Sequence, residues 1–142
     1  MPRFFYHATT MENHKSIMDS GYIKPSSGNT YTNQIFLAQN DRDARLSVWL
    51  RHLNFQNEQV AVFKIPKYCL KKAFITRGDN HTGLCNGPVY KYSRPIKIDN
   101  EIYTGFVNVN INLPEGVSIA RNPDGRAGFS FTQEAYDKLE LA

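Results

Sequence analysis

The sequence predicts an α+β fold in one domain over residues 1–142. Helix signals concentrate in the first 53 residues and strand signals follow, which is typical of α+β proteins and not of an alternating β-α-β winding. Within the strand signal of residues 102–113, residues 107–113 alternate strictly between aliphatic residues and asparagine, the period of a half-buried strand. A chain of 142 residues is long enough to bury a core of its own.

The N-terminal segment predicts a strand, a helix and a glycine turn. Phe4–Tyr6 is a run of strand-forming residues, and His7-Ala8-Thr9 follows it directly. Thr9 and Glu12 have capping-box spacing, so we expect the helix to begin just after the strand. Gly21 supplies the left-handed residue that ends the helix, before a short extended run.

Three further elements are predicted before residue 66. Ile35–Ala38 is a short apolar run between turn residues and reads as a buried strand. Asn40 or Asp41 can cap a second helix that runs to about Leu53. Val60–Ile65 is apolar on both faces, which predicts a central strand.

The second half of the chain is predicted to be rich in strands and loops. The Gly-, Asn- and Asp-rich segment between two apolar runs predicts a long surface loop, and an Asn-Pro-Asp-Gly turn predicts a hairpin. In chain order, the predicted elements are the loop Thr76–Pro88, a short strand Val89–Ser93, the long strand Ile102–Leu113, the hairpin strands Val117–Ala120 and Gly128–Phe131, and a last helix Thr132–Leu141 capped by Thr132.

Composition bounds the partners and the compartment. The net charge of +4 is compatible with a nucleic acid or another phosphate-bearing partner without selecting one. Cys69 and Cys85 lie far apart in the sequence and suggest no disulfide framework, so a reducing compartment is expected. No signal-peptide core and no apolar span is present, which predicts a cytoplasmic protein without a membrane partner. A signal-independent route of delivery to another cell would leave no trace in the sequence.

Three motifs together resemble a known family. They are His7-x-Thr9 after the first strand, Gln34-Ile-Phe-Leu-Ala with Phe36 at its centre, and Asp-Asn-Glu101-Ile-Tyr before the long strand. Their order and spacing resemble the ADP-ribosyltransferase superfamily, in its His-Tyr-Glu (diphtheria-toxin/PARP-like) branch, over roughly residues 3–120. Two departures stand out, because Phe36 occupies the tyrosine position and no glycine precedes it.

The resemblance implies a fold, an activity and a cofactor. The fold would be a split β-sheet core with flanking helices. The activity would be mono-ADP-ribosyl transfer from NAD, used as a substrate and without a metal, to a macromolecular acceptor. That acceptor would be a protein side chain or a nucleic acid, and the family includes toxins and effectors.

The resemblance also implies a role for individual residues. Glu101 would be the catalytic carboxylate, because cleavage of the nicotinamide–ribose bond has an oxocarbenium-like transition state that a nearby negative charge stabilises. Asp99 would face the acceptor. The residues implied to bind NAD, through ribose hydrogen bonds or stacking on nicotinamide, are His7, Thr9, Phe36, Tyr31 and Tyr6.

Two other classes of function remain open on the sequence. A metal-independent ribonuclease would use one of His7, His14 or His81 as the acid and Glu101 as the base. A catalytically silent module would keep the fold and bind NAD, ADP-ribose or a protein partner. Phe36, which lacks the tyrosine hydroxyl, is the feature that favours the silent module.

Overall fold

The computed structural model has a mixed α+β fold with a mainly antiparallel sheet, which confirms the predicted fold class at that level. The structure describes residues 2–25, 34–51, 53, 56–78, 87–112, 117–121, 127–131 and 140–141. In chain order the elements are β1 (Phe4–Thr10), α1 (Met11–Ser20), β2 (Tyr22–Ile23), β3 (Ile35–Ala38), α2 (Asp41–Arg51), β4 (Gln59–Pro66), 3₁₀ turns at Lys67–Cys69 and Lys72–Phe74, β5 (Ile75–Gly78), β6 (Val89–Tyr92), β7 (Ile96–Lys97), β8 (Tyr103–Asn108), β9 (Ile111–Asn112), β10 (Val117–Arg121), β11 (Ala127–Phe131) and β12 (Glu140–Leu141).

The main sheet has six strands in the order β5-β6-β3-β1-β4-β8. β1 is paired with β4 over its whole length, Phe4–Thr10, and β3 is paired with β6 over Ile35–Ala38. Between β1 and β3, by contrast, the register of the described residues contains the one pair Tyr6 with Ala38. The sheet therefore consists of two three-stranded halves, β5-β6-β3 and β1-β4-β8, joined at a narrow seam.

Apolar residues on the two faces of the sheet form two clusters. Phe5, Leu37 and Phe63 belong to the cluster that also contains Ile17 of α1. The second cluster joins residues from the opposite face of the strands to residues of α2, among them Trp49. Because β4 contributes buried residues to both clusters, the prediction that it is a central strand is confirmed.

The first helix begins one residue later than predicted. Thr10, in an extended conformation, is the N-cap, and its Oγ1 accepts a hydrogen bond from the Asn13 backbone N–H at 3.1 Å. The predicted capping box of Thr9 and Glu12 is therefore wrong. The reason is tertiary, because β1 continues its ladder with β4 through Thr10 and holds Thr9 inside the strand. Gly21 ends α1 with φ 80°, as predicted.

The second helix is fixed at its start by a buried carboxylate. Asn40 caps the helix as predicted, since its Oδ1 accepts from the Asp43 N–H at 2.8 Å. The side chain of Asp43 is fully buried, forms an ion pair with Arg42 at 3.0 Å and accepts a hydrogen bond from the Gly87 N–H at 3.0 Å. Asp43 thus ties the start of α2 to the residue that lies two positions before β6.

Three predictions for the second half need correction. Residues 76–78 belong to β5 and not to a loop, because they pair with β6. The single strand predicted over Ile102–Leu113 is divided into β8 and β9, and between them the Val109 N–H donates to the Glu58 carbonyl. Glu140–Leu141, predicted as the end of a helix, forms β12 and pairs with β9.

The hairpin prediction is confirmed in its strands, since β10 and β11 pair antiparallel. In the alternating segment that precedes the hairpin, the prediction that the aliphatic residues are buried is confirmed at Val109 and Ile111. Leu113, the hairpin turn 122–125, the loop 79–86 and the part 132–139 of the last predicted helix lie outside the described residues. Among the residues described, no helix is both long and apolar enough to cross a membrane.

The glycine that ends α1 gives the first testable prediction. A Cβ at Gly21 would meet no atom within 4 Å, so substitution affects only the backbone, held at φ 80°. We expect Gly21→Ala to lower the free energy of unfolding by about 1 kcal/mol and Gly21→Asn by less, because asparagine tolerates the left-handed region. Urea denaturation measures both values, and equal stability of Gly21→Ala and wild type would contradict the assigned cap.

Candidate functional site

The candidate site is the gap that opens where β1 and β3 diverge. If the Tyr6–Ala38 register continued, Ala8 would lie opposite Phe36, and main-chain groups of β1 would face the Phe36 backbone. Instead, the His7 side chain spans the gap, and its Nδ1 lies 2.8 Å from the backbone carbonyl oxygen of Phe36. A side chain therefore takes the place of a main-chain contact at the seam between the two half-sheets.

This hydrogen bond fixes the tautomer of His7. A carbonyl oxygen can only accept, so Nδ1 must carry the proton and donate it to Phe36 O. In the neutral ring, Nε2 is then an acceptor. On its other side the His7 ring lies beside Phe63, with ring centroids 6.5 Å apart and an interplanar angle of 29°. The orientation of His7 is thus set by a contact from each half of the sheet.

A cleft of about 260 Å³ lies at this seam. It is lined by β1, β3 and the first residues of α1, and by one side of α2 at Ala44, Ser47 and Val48. The polar and aromatic side chains that line it include Tyr6, His7, Asn13, Lys24, Gln34 and Phe36. The cleft thus combines hydrogen-bonding groups, one ammonium group and two aromatic rings.

Contacts around the cleft hold two of its side chains, one polar and one aromatic, in place. Thr9 is only 4% exposed, and its Oγ1 accepts from the Asn13 side-chain amide at 2.6 Å. The ring of Phe36 is half-buried, and the Lys91 ammonium lies 5.6 Å from its centroid, within the range of a cation–π contact. The amide of Asn13 and the ring of Phe36 are therefore ordered by neighbours.

Four of the residues predicted to bind NAD lie together in this cleft. Tyr6, His7, Thr9 and Phe36 all line it, although Tyr6 and Phe36 come from different halves of the sheet. Tyr31 lies outside the described residues. The structure therefore brings together the residues of the first two motifs.

The third motif, with the predicted catalytic carboxylate Glu101, lies elsewhere in the structure. Glu101 occupies an exposed turn before β8, which pairs with β4 at the outer edge of the sheet. Its carboxylate accepts a hydrogen bond from the Tyr68 phenol, and its backbone N–H donates to Asp99 Oδ1 at 2.9 Å. Neither Glu101 nor Asp99 lines the cleft, because β4 and β1 separate β8 from β3.

Sequence reasoning did not identify several lining residues. Asn13 lies one turn of helix beyond Thr9, a spacing that places it above the end of β1. Lys24 follows β2, which is held by its pairing with β7, a non-local contact. Ser47 follows Ala44 by three residues, so the helix period predicts that the two share a face of α2.

Comparisons with protein-family models, with curated proteins and with solved structures give no match. Within the described part of the chain, no group of three or more His, Cys, Asp or Glu residues is placed to hold a metal ion. The functional argument therefore starts from the geometry of the cleft and from the residues that line it.

The Tyr68–Glu101 pair gives a second prediction. Its hydrogen bond to the Glu101 carboxylate, reinforced by the negative charge there, raises the pKa of Tyr68 to about 12. We expect Glu101→Gln to lower this pKa toward the ordinary value of 10.0, because the strong acceptor and its charge are both removed. NMR of ring-labelled tyrosine as a function of pH measures the shift.

The control for this titration is Asp99→Asn. The charge of Asp99 is the weakest of the causes that raise the pKa of Tyr68, so this variant should change the pKa far less than Glu101→Gln does. An equal decrease in both variants would show that general negative charge in the turn, and not the hydrogen bond, controls the tyrosine.

Proposed function

We propose that the cleft binds NAD and that the domain transfers ADP-ribose from it to a macromolecular acceptor. The observation that carries the proposal is the grouping of Tyr6, His7, Thr9 and Phe36 at a seam between two half-sheets. The resemblance to ADP-ribosyltransferases implies these same residues as NAD ligands on a split sheet. Their convergence on one cleft supports the finer, ADP-ribosyltransferase-like description of the fold.

In this proposal His7 binds a ribose of NAD. The ring is already oriented by its bond to Phe36 O, so little conformational entropy is lost when a ligand binds. With the proton on Nδ1, the neutral ring offers Nε2 as an acceptor for a ribose hydroxyl. A neutral hydrogen bond of this kind contributes about 0.5–1.5 kcal/mol.

The aromatic rings and the ammonium group suit the rest of the cofactor. Phe36 and Tyr6 provide rings against which nicotinamide can stack. Lys24, which is exposed at the cleft, is placed to neutralise the pyrophosphate. A volume of about 260 Å³ is slightly below that of pockets that enclose a whole drug-sized ligand, so we expect the cleft to enclose one half of NAD and to leave the other half against its rim.

The transfer step additionally needs a negative charge near the breaking bond between nicotinamide and ribose. Glu101 is not proposed for this role, because it lies at the outer edge of the sheet. The described lining residues include no Asp or Glu. That observation favours a second candidate function, a module that binds NAD or ADP-ribose without transfer.

Binding is tested with His7→Asn. The asparagine amide can replace Nδ1–H at the Phe36 carbonyl, so the seam is retained while the Nε2 acceptor is lost. We expect stability close to that of wild type and an NAD affinity lower by roughly three- to tenfold, the equivalent of one hydrogen bond. Isothermal titration with NAD measures the affinity, and thermal unfolding with and without NAD confirms that the ligand binds the native state.

Glu101→Gln is the control for this titration, since it is likewise an acid- or base-to-amide replacement at a hydrogen-bonded side chain but lies away from the cleft. Its NAD affinity should equal that of wild type. Unchanged affinity in His7→Asn would remove His7 from the binding site, and absence of any NAD binding to wild type at millimolar concentration would refute the proposed function.

Transfer and silent binding are separated by products. A transferase releases nicotinamide from NAD and adds the mass of ADP-ribose to the acceptor, so both quantities should increase together. We expect both in wild type incubated with NAD and with protein or nucleic-acid acceptors, measured by chromatography and intact-mass spectrometry. NAD binding without nicotinamide release in all of these mixtures would instead establish the silent module.

A further inference from the structure

Positive charge is concentrated in the half-sheet β5-β6-β3 and in the segments that flank its strands. Residues 67–78 and 87–98, which contain β5, β6 and β7, hold seven cationic residues and no Asp or Glu. The whole chain has 17 cations and 13 acids, so the remainder carries ten cations and thirteen acids, a net charge of −3. The seven are Lys67, Lys71, Lys72, Arg77, Lys91, Arg94 and Lys97.

One of these cations lies over the ring of Phe74, and two others come shortly before Phe74 in the sequence. Arg94 is exposed and its guanidinium lies 4.7 Å from the centroid of the Phe74 ring. The Phe74 N–H donates to the Lys71 carbonyl, and the Lys71 N–H donates to the Tyr92 hydroxyl, both at 3.0 Å. Lys71 and its neighbour Lys72 are exposed. These hydrogen bonds therefore fix the backbone of residues 71–74 next to Tyr92, the last residue of β6.

A row of residues across the half-sheet connects this region with the cleft. Phe36, Lys91 and Thr76 lie opposite one another on β3, β6 and β5, and so they share one face. Phe36 lines the cleft, and the ammonium of Lys91 lies 5.6 Å from its ring. Lys91 therefore carries positive charge of this half-sheet to the rim of the proposed NAD site.

We propose that this basic surface, formed by Lys71, Lys72 and Arg94 beside the ring of Phe74, binds single-stranded nucleic acid. Lysine ammonium groups neutralise phosphates, and the exposed guanidinium of Arg94, which lies over the Phe74 ring, provides a planar surface on which a base stacks. An acidic polypeptide would use the charges but not this planar surface. The further step, that this strand is the acceptor of ADP-ribose, rests on the proposed function, whereas binding to the surface does not.

The test is fluorescence anisotropy with labelled 20-nucleotide single-stranded RNA and DNA of equal sequence. We expect binding that weakens as salt is raised, because phosphate contacts release counterions. Lys72→Glu should lower the affinity roughly tenfold at 100 mM salt and reduce the salt dependence. Duplex DNA should bind less tightly than the single strand, because its bases are already stacked. Comparison of the RNA and DNA arms assigns the type of strand.

The matched control is Lys15→Glu. Lys15 is also an exposed lysine, on α1, and its replacement changes the net charge by the same amount. The affinity of this variant for RNA should remain within about twofold of wild type. Lys15 is not part of the basic surface, and charge effects beyond about 10 Å are largely screened at 100 mM salt. Arg94→Gln, which removes the guanidinium above Phe74, is a second variant and should also weaken binding.

Three outcomes would overturn the proposal. These are the absence of single-strand binding by wild type, equal losses in Lys72→Glu and Lys15→Glu, and competition by polyglutamate as effective per charge as that by RNA, which would indicate an acidic protein partner. The NAD-induced thermal shift of the same variants is measured in parallel. If that shift persists while RNA does not bind, only this inference fails, and if RNA binds without any NAD shift, only the proposed function fails.

Discussion

The hydrogen bond from His7 Nδ1 to the Phe36 carbonyl is the contact on which the architecture of the site depends. A backbone carbonyl inside a sheet needs a donor, and normally the neighbouring strand provides it. Because the imidazole provides the donor here, β1 can turn away from β3 without leaving that carbonyl unsatisfied. The cleft and the short β1–β3 register both lie where this side chain stands in for a backbone donor.

Local patterns were sufficient to predict much of the first half of the fold, whereas the residues that line the cleft were implied by the family resemblance. The strand–helix–glycine unit, the buried strand around Phe36 and the central strand β4 each depend on a few neighbouring residues whose spacing fixes which face is buried. His7 lies on β1 and Phe36 lies on β3, and these two strands border the seam. The two motifs that contain these residues therefore both point to the cleft. Thr9 was assigned the wrong local role, because its strand is lengthened by pairing with β4.

The position of Glu101 could not be predicted in the same way, because a linear motif gives an order along the chain and not a position in the sheet. β8 pairs with β4 on the side away from β1. The pairing joins residues that are roughly 40 to 50 positions apart in the chain, such as Lys64 and Tyr103 or Gln59 and Asn108. The same limit explains the division of the alternating segment into β8 and β9, since alternation predicts a face but not a break. In the sequence Asp43 is an ordinary acid in the first turn of a helix. In the structure its side chain is buried, where it is bonded to the Gly87 N–H and to Arg42.

The narrow seam also has a consequence for the cooperativity of folding. Each half-sheet is held together by continuous ladders, whereas the register between the halves is one residue pair long, so the two are expected to behave as separate units in amide hydrogen exchange. The β1–β4 ladder joins residues at least 50 positions apart, such as Thr10 and Val60, and its closure is entropically slow. A ligand seated across the seam would link these units and slow exchange in both, far from the atoms that it touches.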